Sequence, residues 1–225
     1  MSEDISIRSA SEAAAADIRA ASACAARVSE LMADATDTHS VDAVLFAKLI
    51  AAREVRDEMP LLGVTNDELN ALCERHFMRA RSLAPTAAII GRQNAPLPRL
   101  PQLPPAQRVA IQTEEQVDFV TQLRELLLTH ISASVREEDA ACLGSIIAHA
   151  CLRPDHLWRD LGLNGREDAT EMLLRYFPAL VARNVDHLRW KKFLARELAW
   201  SLGLEPGPAP GCPGCEDFRH CFPRD

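Results

Sequence analysis

The stretch 42–57 reads DAVLFAKLIAAREVRD. Leu45, Leu49 and Ala52 recur at spacings of three and four, with Phe46 and Ile50 beside them. That is the period of an α-helix with one buried face. A second helix is expected at about 66–79. It opens on Thr65-x-x-Glu68, a capping box: the hydroxyl accepts from a first-turn N–H while the carboxylate reaches back. Leu69, Leu72, Cys73 and Phe77 make its apolar stripe.

Further along, Phe119, Leu123, Leu126, Leu127 and His130 keep helical spacing over about 110–132, and Cys142, Leu143, Ile146, Ile147 and Ala150 do so over about 136–152. HLWRDLGL (156–163) leads into a helix at about 165–177. Asn164-x-x-Glu167 is its capping pattern, and Pro178 ends it or starts a new turn. The last helix is expected at about 185–202, with Asn184 as N-cap, Gly203 as C-cap, and a stripe of Val185, Leu188, Ala195, Leu198 and Leu202. No stretch reads as a strand. The class is all-α, a helical bundle of about six helices.

A weak internal repeat runs through it. DAVLFAKLIAAREV (42–55) aligns with DAACLGSIIAHACL (139–152), and LGVTNDELNALCERHF (62–77) with LGLNGREDATEMLLRYF (161–177). The Leu-Gly pair, the capping Glu and the final Phe coincide, which favours two repeated helix pairs over shared patterning.

The flanks differ in composition. Residues 1–38 are Ala-rich with little bulky apolar surface, and read as a disordered tail or a marginal helix. Residues 39–83 form the first helix pair. Pro85, Pro96, Pro98, Pro101, Pro104 and Pro105 make 84–107 an extended linker. The main helical region is 108–204. Residues 205–225, with five further prolines, are an irregular cysteine-bearing tail.

With 225 residues the chain suits one domain with tails. It carries 25 basic and 32 acidic residues, a net charge of −7, which argues against general binding to nucleic acid or to anionic membranes. Met1–Ile7 carries Glu3 and Asp4 instead of the basic cluster of a secretion signal, and no apolar run reaches the length of a membrane span. A cytoplasmic protein is expected, with reduced thiols.

Its seven cysteines then need a reading other than disulfides. Three crowd into GCPGCEDFRHCF (211–222). Cys212 and Cys215 have the C-x-x-C spacing that lets two thiolates reach one metal centre across a tight turn, and Pro213 and Gly214 favour such a turn. Cys221 adds a third ligand and His220 a possible fourth. The tail has too few large apolar residues to fold alone, so bound metal would supply the missing free energy. Four ligands suit a structural zinc, although adjacent His220 and Cys221 diverge. Three thiolates also suit an iron–sulfur cluster with one open corner. Spacing leaves both readings open.

Other candidates are weaker. Cys73, Cys142 and Cys151 read as core. His149 and His156 reach a common metal only if their connection folds back. Arg189, Lys191 and Lys192 with Trp190 form a basic, aromatic patch for an oxoanion or an acidic partner, or else a solvated helix face. No phosphate loop, nucleophile elbow or zinc-protease pair is present. A carrier or assembly factor is expected, not an enzyme.

The C-terminal half resembles the NifQ family of nitrogen fixation. SIIAHACLRPDHLWRDLGL (145–163), RYFPALVARN (175–184) and HLRWKKFLARELA (187–199) carry the likeness, with the cysteine tail behind them. The resemblance implies an iron–sulfur protein that binds molybdate or molybdenum. It would donate that metal to the proteins assembling the iron–molybdenum cofactor of nitrogenase, with Cys212, Cys215 and Cys221 as ligands. The family's tail motif, C-x4-C-x2-C-x5-C, places its first cysteine at position 207, which is Gly207 here. The alternative from the residues alone is a helical interaction module with a zinc-stapled tail.

Overall fold

The computed structural model describes residues 2–78, 101 and 113–223, with the side chains of the first helix from Ala15 onward, Asp17 excepted. Every regular element among them is helical, as the periodicity requires. They are α1 Ser2–Ala33, α2 Val41–Val55, α3 Asn66–His76, α4 Glu114–Leu128, α5 Glu137–Ala150, α6 Leu157–Asp160, α7 Arg166–Tyr176, α8 Pro178–Val181, α9 Trp190–Ser201 and α10 Phe218–Cys221. Short 3-10 turns cover Met59–Leu62 and Cys212–Gly214. The linker 84–107, Pro101 apart, lies outside the described residues.

The chain divides into two compact units. One comprises Met1–Met59 with Cys73–Pro101, the other Pro60–Leu72 with Gln102–Asp225. In the first, α1 packs along α2. Ser40 caps α2 by accepting from Ala43 N–H at 3.2 Å. Phe46, Leu49 and Ile50 are buried, and so are Ala43, Ala47, Ala51 and Ala52. These small residues let another backbone come close. Residues 1–38, read as a disordered tail or marginal helix, hold α1: its last turns bury Leu31, and Arg27 pairs with Glu54 of α2. Alanine supplies helix propensity, and the partner helix supplies the packing that propensity lacks.

In the second unit α4 and α5 pack together, and α9 lies against α4. Arg124 Nε donates to Ser145 Oγ across the first pair at 2.9 Å. Leu123, Leu127, Leu143, Ile147, Tyr176 and Phe193 are wholly buried. Thr65 and Glu68 form the expected capping box, at 2.8 and 3.2 Å.

The repeat is visible in local conformation. Leu62-Gly63 and Leu161-Gly162 each follow a short helical turn, and each glycine has positive φ, +85° and +70°. Phe77 and Phe177 each close the following helix, with N–H bonded to the carbonyl four residues back, and both are buried.

Two boundaries differ from expectation. The last helix begins at Trp190, not 185. Asn184 does not cap it. Its amide instead clamps Leu188, accepting from the N–H at 2.9 Å and donating to the carbonyl at 3.0 Å. Val185 and Leu202 are exposed and leave the apolar stripe. Gly203 does close the helix with φ +69°, Leu204 N–H reaching the Ala199 carbonyl. At α7 the N-cap is Gly165, and Asn164 pairs with Asp168 instead of Glu167.

Candidate metal centre

The tail after α9 is more ordered than its prolines suggest. It is folded into the 3-10 turn Cys212–Gly214 and the helix α10, and the turn rests on the loop that follows α5. Gly211 N–H donates to the Cys151 carbonyl at 3.0 Å. A Cβ on Gly211 would lie 1.9 Å from the Arg153 carbonyl oxygen, and one on Gly214 would lie 2.6 Å from Pro154 Cβ. Only glycine permits this approach. The two glycines flanking Cys212-Pro213 are therefore what seats the cysteine turn on the bundle.

That seating opens a cavity of about 390 Å³. Cys212, Cys215 and Cys221 all line it, Cys212 buried and the others half-buried. None of the seven cysteines is in a disulfide. His220, offered as a fourth zinc ligand, is exposed and off the wall. Gly207 is also off the wall, and a Cβ there would meet nothing within 4 Å.

The first turn of α9, with Arg189 before it, also lines the cavity, and it is cationic. Lys191 is 5% exposed, pairs with Asp160, and donates to the Arg153 carbonyl at 2.8 Å. Arg153 Nε reaches the other Asp160 oxygen at 3.2 Å. Lys192 donates to the Cys221 carbonyl and sits 4.8 Å from the Phe222 ring centre. Arg189 pairs with Asp217, inside the cysteine segment, and Arg159 with Glu216 at 2.8 Å. So the basic patch faces the cysteine tail and ties it down. It is not a merely solvated helix face.

Burial pushes the Cys212 thiol above its ordinary range, with the Lys191 ammonium pulling the other way. Hydrogen bonding from Arg189 holds the Asp217 carboxyl below the usual carboxylate range. Cys151, behind the turn, is fully buried and pushed up to about 12 by that burial. Cys73 and Cys142 are buried too, as read.

His149 and His156 do not meet as a pair. His149 Nδ1 donates to the Ser145 carbonyl at 2.8 Å. His156 instead lines the cavity, its Nε2 3.0 Å from Asp217 Oδ2. His156, Glu216 and Asp217 bring their ligand atoms within 4.8 Å of one another. Sequence reasoning missed this trio. The signal was the Glu-Asp directly after Cys215, which a helix-based search for His partners passes over.

Chemically, three soft sulfur donors and several cations lining one cavity suit an anionic metal–sulfur assembly. The residues fit such a group: the three thiols would ligate it, and Lys191, Lys192 and Arg189 would offset its charge.

Comparison with known proteins agrees with the sequence resemblance. A 109-residue stretch is 43% identical to Protein NifQ of Azotobacter vinelandii, covering 48% of this chain and 55% of that one. A 100-residue stretch is 41% identical to the Protein NifQ homolog of Sinorhizobium fredii, covering 44% and 43% respectively. A 93-residue stretch is 33% identical to Protein NifQ of Rhodobacter capsulatus, covering 41% and 52%. The chain spans about half the length of these relatives. No solved structure matches it. The family model for NifQ matches residues 45–223, most of the chain and the whole cysteine site, and the chain belongs to the NifQ family.

Proposed function

We propose that this chain is a molybdenum carrier of nitrogen fixation. Its cargo is an iron–sulfur cluster with molybdenum, held by Cys212, Cys215 and Cys221. It passes molybdenum in the cytoplasm to the proteins that assemble the iron–molybdenum cofactor. The observation that carries this reading is that one cavity is lined by all three tail cysteines and by Arg189, Lys191 and Lys192.

Each group has a separable task. The thiolates ligate, and each must lose its proton to do so. The buried Lys191 and the adjacent Lys192 favour both a negative cluster and an approaching molybdenum oxoanion. Three protein thiolates leave one corner for another ligand or metal. No helix among the described residues is long and apolar enough to cross a membrane.

The test is anaerobic purification from molybdate-supplied cells, with iron, molybdenum, zinc and acid-labile sulfide measured per chain. Iron and sulfide at about three to four per chain, with molybdenum present, are expected. Zinc without sulfide would reject the cluster and favour a zinc-stapled interaction module.

A further inference from the structure

The three thiols leave a ligand to be found. A cysteine is absent at position 207, and Gly207 neither lines the cavity nor has a side chain to offer. Cys151 is fully buried and is not on the wall. The non-thiol donors on the wall are His156 and the carboxylates Asp155, Glu216 and Asp217. Glu216 is paired with Arg159 and Asp217 with Arg189. Asp155 accepts from both His156 N–H and Arg159. These ion pairs neutralise the acids, and the guanidiniums beside them disfavour a bare cation among His156, Glu216 and Asp217.

We infer that His156 is the fourth protein ligand of the cluster, through Nδ1, in place of the cysteine absent at position 207. The inference rests on the carrier reading above and adds a ligand to it. Asp217 can only accept, so His156 Nε2 carries the proton of the 3.0 Å contact and Nδ1 presents its lone pair. A ligating histidine characteristically gives its other N–H to a carboxylate, which fixes tautomer and ring orientation. Asp217 lies between Cys215 and Cys221, so the orienting carboxylate and two of the thiols share one short segment. The ring plane is set as well: His156 stacks on Trp158 with centroids 6.5 Å apart and planes 4° apart. Arg189 Nη1 sits 3.3 Å from Nε2 and 3.5 Å from Nδ1, both longer than the 3.0 Å contact of Nε2 with Asp217, and its pairing with Asp217 depends on neither. The ligand set is then three thiolates and one neutral imidazole. Such a set carries one negative charge fewer than four thiolates, and replacing thiolate by histidine raises the potential of an iron–sulfur centre.

The experiment uses the full chain with its cluster, reduced by one electron and examined by pulsed electron paramagnetic resonance. A directly bound nitrogen is expected in the hyperfine spectrum, changing from 14N to 15N when the histidines are 15N-labelled. It should vanish in His156→Ala. His156→Cys should retain iron and sulfide, lack the nitrogen coupling and have a lower midpoint potential. Gly207→Cys should leave coupling and iron content unchanged. A wild-type cluster without nitrogen coupling, or coupling that survives in His156→Ala, overturns the ligand assignment and leaves the carrier reading intact. Absence of iron and sulfide from the wild type overturns the carrier reading and the ligand with it.

Discussion

Lys191 and Asp160 form an ion pair with both side chains 5% exposed, and the same ammonium holds the Arg153 carbonyl at 2.8 Å. Arg153 is the residue whose backbone Gly211 packs against. One buried pair therefore sets the platform on which the cysteine turn is seated. Removing one partner of such a pair strands the other charge at a cost of about 3 kcal/mol. Lys191→Met should lose about that much in a guanidinium unfolding titration. Asp160 keeps its contact with Arg153, so a loss well above that figure would mean that Lys191 does more than pair.

Gly211→Ala tests the seating itself. The added methyl meets a backbone oxygen that cannot swing aside, so the turn must lift away from the 151–154 loop. Overpacking of this kind costs about 1–3 kcal/mol. The expected result is faster alkylation of Cys212 in the metal-free protein, with the far-ultraviolet circular dichroism unchanged. Unchanged alkylation would show that the contact is not what buries Cys212.

Cys215→Ala separates ligation from folding. Cys215 is half-buried in the tail, and the core of the second unit is built from residues of α4, α5, α7 and α9. Iron and sulfide should fall to background while the helical signal is retained. Global unfolding of this variant would show that tail and bundle are not separable.

Acid sensitivity is expected at a place far from the thiols in sequence. Burial lowers the His149 pKa below that of a free imidazole, partly opposed by its bond to the Ser145 carbonyl. The unfolded chain then binds the proton more readily than the folded one. The stability contribution of neutral His149 is complete above the unfolded value, about 6.5. It is lost as the pH falls from there through the folded value. His149→Gln should flatten that part of a stability–pH curve measured by urea unfolding, and an unchanged slope would assign it elsewhere.

Gly63 packs directly on that imidazole. A Cβ would lie 2.4 Å from the ring, and φ is +85°. Gly63→Ala should destabilise by about 1–3 kcal/mol, from strain and overpacking together. A thermal shift of under about 1 °C, below the roughly 2–4 °C that 1 kcal/mol gives in a chain of this size, would show that the loop relaxes at little cost.

The helices were legible wherever apolar spacing was regular. Phe46, Leu49, Leu72, Leu123 and Leu198 all lie in the core. The start of the last helix was not legible. Val185 extends the apolar register into a loop, and Asn184 resembles a cap until its amide is seen clamping Leu188. The N-terminal helix was underestimated because an Ala-rich face looks poor in packing until a second Ala-rich helix lies against it.

By itself the sequence determined the all-helical class and the capping box at Thr65 and Glu68, and it marked the three tail thiols as candidate ligands. These depend on neighbours within a few positions of the chain, where propensity and spacing act directly. The tertiary structure alone decided that His156 and Asp217 face each other from 61 positions apart. It also decided that Lys191 is buried against Asp160, that Gly211 rests on Arg153, and that His220 and Gly207 lie off the cavity. Those relations depend on where loops return, and loop return is set by close packing between segments that share no local pattern.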